Sequence, residues 1–109
     1  MYVKYFEDGL SIHVRGELVN GKQEGLWEEY YEFPYFMKSM NRFKDGFFHG
    51  MQMSWHPNGH LHSMIEYEDG HLLGETKLYD TNRTLVYHAI YEKGSLIKVK
   101  VEVQGEQSD

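Results

Sequence analysis

Histidine is the residue type here with the widest reach in chemistry, and the chain carries seven: His13, His49, His56, His60, His62, His71 and His88. His60 and His62 stand two apart, so on a strand both rings point to one face, and His56 lies just across Pro57-Asn58-Gly59. These three imidazoles are the candidate for a Zn or Ni site. No cysteine exists to join them, and no carboxylate lies at an obvious ligand spacing. The simpler reading is a polar turn and a solvated sheet face. The lack of cysteine also removes a thiolate nucleophile and a disulfide framework. No serine sits in a Gly-x-Ser-x-Gly elbow. The Gly-x-x-x-Gly spacing that recurs along the chain falls in polar turn segments and opens no helix, so it is not a phosphate loop. Paired carboxylates occur at Glu28-Glu29 and at Glu66 with Glu68, but a solvated face accounts for them as well as acid–base work does. The expectation is a non-enzyme with no catalytic residues and no cofactor.

Binding chemistry is better represented. Seventeen of 109 residues are aromatic, and Phe33, Tyr35, Phe47 and Phe48 fall in predicted loops or hairpin tips, where burial is not assured. Asp and Glu number 17 against 11 Lys and Arg, a net charge of -6. That sign opposes nucleic acid and anionic membrane, both of which reward a basic patch. It suits a basic protein partner, with Glu28, Glu29, Glu32, Glu66, Glu68 and Asp69 supplying the charge. No apolar run approaches the ~18 residues of a membrane-spanning helix. The acidic opening segment does not read as a signal peptide, so the expected location is the cytoplasm.

The elements that must position these residues are written as a repeat. Gly21, Gly46, Gly70 and Gly94 stand 25, 24 and 24 residues apart, preceded by Asn20, Asp45, Asp69 and Lys93. Three of them have a second glycine four residues on, at Gly25, Gly50 and Gly74; the fourth has Lys98 there. A large apolar residue precedes each turn, at Leu18, Phe43, Tyr67 and Tyr91. Asn-Gly and Asp-Gly favour the left-handed positions of two-residue hairpin turns. The segments between them alternate with period two, as in Leu61, Ser63, Ile65 and Tyr67 against His62, Met64, Glu66 and Glu68. A second turn closes each unit at the other end, around Pro34, at Pro57-Asn58-Gly59 and at Thr81-Asn82-Arg83.

This unit resembles the MORN repeat. The match lies in Gly21-Lys-Gln-Glu-Gly25-Leu-Trp27-Glu-Glu-Tyr30-Tyr31, Pro57-Asn58-Gly59-His60-Leu61 and Tyr67-Glu-Asp-Gly70. It is most similar to the bacterial variant of the YwqK-like family, labelled antitoxin components of toxin–antitoxin systems. The resemblance covers residues 17 to 97 and departs from the pattern at Glu32-Phe33-Pro34-Tyr35, at Lys98 and in the short N-terminal half-unit. It implies antiparallel hairpins laid side by side in an elongated, twisted sheet, with scaffolding and partner binding as the role, and lipid binding in some eukaryotic members.

The expected fold is therefore all-β: an antiparallel meander of hairpins of about 24 residues each. One domain covers residues 1–104, with units at 21–45, 46–69 and 70–93 and partial caps at 1–20 and 94–104; residues 105–109 form a tail. The leading functional expectation is a protein–protein interaction module. An antitoxin-like or phage-borne inhibitor of a basic toxin or host enzyme is the specific form. The alternatives are a membrane-surface module, a small His-based metal-binding protein, and a homodimer paired through open edge strands.

Overall fold

The computed structural model describes residues 1–33 and 36–102. Pro34, Tyr35 and the tail at 105–109 lie outside the described residues. The described chain forms ten strands and no helix. They are β1 (Tyr2–Tyr5), β2 (Ile12–Val19), β3 (Lys22–Tyr30), β4 (Met37–Lys44) and β5 (Phe47–Phe48). After them come β6 (Gly50–Trp55), β7 (Leu61–Glu68), β8 (His71–Tyr79), β9 (Leu85–Glu92) and β10 (Ser95–Glu102). Every neighbouring pair is antiparallel, and the order across the sheet is the order in sequence, with two-residue β5 paired to β4 off the main path. The result is one open layer, 49 × 33 × 14 Å.

The two glycines of each unit have different work. Asn20-Gly21, Asp45-Gly46, Asp69-Gly70 and Lys93-Gly94 all have positive φ at both positions, which makes two-residue turns whose twist matches the strands they join. Each turn also hangs on the one before it. The N–H of Gly46 donates to the Gln23 carbonyl, that of Gly70 to Phe48 and that of Gly94 to Leu72, all at 2.8–2.9 Å. The second glycine absorbs irregularity. Gly25 and Gly74 stand where the registers of β2–β3 and β7–β8 slip, and both are left-handed, as bulged residues can be.

At the opposite edge, the loops after β3 and β6 reach forward to the next unit. The Tyr31 hydroxyl donates to the Trp55 carbonyl (2.7 Å), and the His56 ring bonds the Tyr79 carbonyl (2.9 Å). Asn58 donates to Thr81, whose carbonyl also meets the His60 ring at 2.7 Å. The sheet is thus stitched along both edges as well as through its strands.

Register divides the side chains between two faces. Across the middle of one face run Gly16, Trp27, Asn41, Gln52, Ile65, Thr76 and Ala89. This tryptophan face contains every buried residue of the described chain: Trp27, Ala89, Gln52, Ser63 and Thr76, with Gly16. A Cβ on Gly16 would sit inside the Trp27 indole, so the glycine makes room for the ring. The indole N–H donates to the Glu17 carbonyl at 3.0 Å. Rings then touch in sequence from Tyr2 through Trp27, Phe43 and Phe48 to Tyr67, with centroids 5.0–6.3 Å apart. Where β5 interrupts the pairing of β4 with β6, the Gln52 amide takes over. Its oxygen accepts from Arg42 N–H (2.9 Å) and its nitrogen donates to the Arg42 carbonyl (3.0 Å), as a strand would.

The other face carries the row Arg15, Glu28, Met40, Met53, Met64, Lys77 and His88. All seven are half-buried. A single layer has nothing to bury this methionine face against.

Candidate functional site

The aromatic candidates separate by position. Phe33 is 92% exposed on the β3–β4 loop. Phe47 is 60% exposed at the glycine-turn edge, its ring resting on Gly70. Strands of eight or nine residues separate the two edges by roughly 27–30 Å, so Phe33 and Phe47 belong to two different surfaces. Phe48 is half-buried in the ring series, 5.1 Å from Phe43 and 5.0 Å from Tyr67 by centroid, and holds the sheet together. Tyr35 lies outside the described residues.

The acidic candidates separate by charge balance. Glu28 receives the Arg15 guanidinium at 2.7 Å and is only 18% exposed in its side chain, so Arg15 already answers its charge. The pair is mutual: the bond to Glu28 raises the Arg15 pKa above its ordinary value. Arg15 also lies 5.9 Å over the Tyr30 ring, and burial is the main cause that raises the Tyr30 pKa. Glu29 lies 3.5 Å from His13 and 3.7 Å from Lys38. Glu32 is exposed beside Phe33. Glu66 lies over Gly74, and Glu66 and Glu68 enter no ion pair among the described residues. Asp69 has His49 at 3.5 Å and is 69% exposed in its side chain. Glu68 and Asp69 line an open hollow of about 340 Å³ with His71, Leu72, Leu73 and Lys93. The uncommitted acids therefore gather at the glycine-turn edge, on the same edge as Phe47.

The histidine trio does not converge. His56 and His60 face backbone carbonyls of the neighbouring loop, and His62 meets the Ser54 hydroxyl at 3.1 Å. The His56 and His62 rings are 4.6 Å apart, and burial with the nearby His56 lowers the His62 pKa, favouring the neutral ring. No three His, Asp or Glu side chains among the described residues group so as to hold a metal ion. Ser54 bonds His62 and Ser63, a hydroxyl–imidazole contact on a sheet face.

One feature was not singled out by sequence reasoning: the alignment of Met40, Met53 and Met64, residues that become neighbours only once the strand registers are known. β10, which falls within the expected cap at 94–104, exposes Leu96 (52%), Ile97 (58%) and Val99 (39%), with register slips at Leu96/Lys98 and Val99/Val101.

No family model matches the chain, and no curated protein or solved structure matches it either. No helix among the described residues is long and apolar enough to cross a membrane.

Proposed function

We infer that this chain is a non-enzymatic protein-binding module, antitoxin-like in character, that covers a basic site on its partner. One observation carries the reading. The fold is a single layer whose buried residues lie on one face, so most of its side chains are displayed rather than enclosed. Such an architecture supplies an extended, edge-stitched surface. The MORN-like unit supports the same reading. Phe47, Glu66, Glu68 and Asp69 form the contact at the glycine-turn edge, with an exposed ring as anchor and exposed or half-buried carboxylates around it, of which Asp69 has only His49 beside it, at 3.5 Å. Glu28 and Glu29 contribute less, because Arg15 and Lys38 already pair with them.

The test is affinity capture from the native host on tagged protein, at low and high salt, with three baits: wild type, Phe47→Ala/Glu68→Gln, and Phe33→Ala. The expected result is one dominant basic protein, retained by wild type, weakened by salt and lost from the double variant. Capture that ignores both salt and the glycine-edge variant overturns the assignment of that edge. An empty wild-type bait removes the protein-binding reading itself.

A further inference from the structure

We propose that the methionine face holds a binding site for a soft monovalent metal ion, Cu(I) or Ag(I), formed by the thioethers of Met40, Met53 and Met64. Four of the six methionines of the chain fall in one patch of this face. Met40 stands directly opposite Met53, and Met53 directly opposite Met64, on three strands adjacent in the sheet. Met51 lies two residues along β6 on the same face.

Spacing favours convergence. Directly opposed residues have Cβ atoms about 4.5–5.5 Å apart, so the outer two of the three are separated by roughly 10 Å. A methionine side chain has three free rotors and places its sulfur two bonds beyond Cβ. The outer sulfurs can therefore lean toward the central one and present three soft donors to a single ion. All three residues are half-buried, so each keeps part of its surface open to solvent.

The surroundings select the class of ion. Thioethers bind soft cations such as Cu(I), whereas Mg(II), Ca(II) and Mn(II) look for oxygen. The charged residues next in the row on either side are themselves ion-paired. Glu28, beyond Met40, is held by Arg15 at 2.7 Å, and Lys77, beyond Met64, lies 3.7 Å from Glu75. No thiolate exists in the chain to compete.

The choice of residue is also specific to this patch. In the flanking units the equivalent positions are charged or basic: Arg15 and His88 align with Met40 and Met64 by distance from the turn glycine, and Glu28 and Lys77 with Met53. Strand positions that need only apolar filling favour β-branched and aromatic residues, which methionine is not. The tryptophan face follows that preference with Ile65 in its central row.

The experiment is a titration of the full chain with Ag(I) in chloride-free buffer, followed by the methyl NMR signals of methionine, and with Cu(I) against a chromophoric Cu(I) chelator. One equivalent of Ag(I) is expected to move the methyl signals of Met40, Met53 and Met64 and to leave Met37 in place. Met53→Leu, which preserves volume, is expected to weaken binding at least ten-fold, and Met64→Leu likewise. His56→Gln/His62→Gln is expected to leave affinity unchanged, since imidazole is the competing soft donor. Three results overturn the proposal: no binding at micromolar ion, equal movement of Met37, or loss of binding with the histidine variant but not with Met53→Leu. The wild-type methyl spectrum decides the matter even if a variant fails to fold.

Discussion

The tryptophan face and the methionine face are built on the same strands, yet their central rows differ in kind. The first is a fitted row, in which Gly16 is absent of side chain so that Trp27 can lie over it, and Gln52 replaces missing backbone pairing. The second is a row of ion-paired side chains and thioethers, all of them half-buried. Stability therefore resides on one face and the freedom to vary on the other. A one-layer sheet makes this division possible, because no second layer obliges the other face to fit anything.

The comparison can be broken by substitutions whose effects should fall in a definite order. Trp27→Ala removes the largest buried side chain and its contacts with Tyr2 and Phe43, and is expected to cost about 3–5 kcal/mol in urea unfolding. Gly16→Val drives a branched side chain into the indole and should cost about 1–3 kcal/mol. Gln52→Leu leaves the Arg42 N–H without its acceptor, while the Arg42 carbonyl keeps the His49 N–H at 2.9 Å, and should cost about 1–3 kcal/mol. Met53→Leu, one residue along the same strand but on the other face, should stay below about 1.5 kcal/mol. If Met53→Leu proves as damaging as Gln52→Leu in the same unfolding assay, the two faces do not differ as described.

A smaller effect sharpens the contrast through pH. Burial, with His56 nearby, holds the folded-state pKa of His62 below its ordinary value. The neutral ring is the form that the folded state favours. Its contribution to stability is thus present above the ordinary histidine pKa and is lost as the pH falls through the lowered one. The urea midpoint should drop between pH 7 and pH 5, and His62→Gln should reduce that drop. An unchanged pH slope in the variant would remove His62 as its source.

The repeat, the turns and the strand parity were all legible in the sequence, because an Asn-Gly or Asp-Gly pair at regular spacing has one good backbone solution. The all-β meander follows from them. The fate of individual candidates was less legible, and the reason is register. Glu28 is neutralised by Arg15, 13 residues earlier, only because the β2–β3 pairing slips beside Gly25 and brings the two opposite each other. Likewise, Phe47 and Phe48 are adjacent in sequence, but β5 turns one outward and the other into the ring series. The histidine trio failed to converge for a related reason. His56 and His60 are close in sequence, yet each finds a carbonyl acceptor in the neighbouring loop. A slip in register changes which residues stand opposite one another across two strands, and composition carries no record of that.

The ladder in which each turn glycine donates to the previous unit has a mechanical consequence. Gly46, Gly70 and Gly94 each lean on one neighbour and no further, so the sheet is coupled from hairpin to hairpin rather than around a common centre. Pulled by its two ends, such a chain should peel from an edge and yield as a series of small steps, one hairpin at a time. Its resistance to force would then grow little with length, and a duplicated or deleted unit of about 24 residues would change the count of steps without changing the height of each.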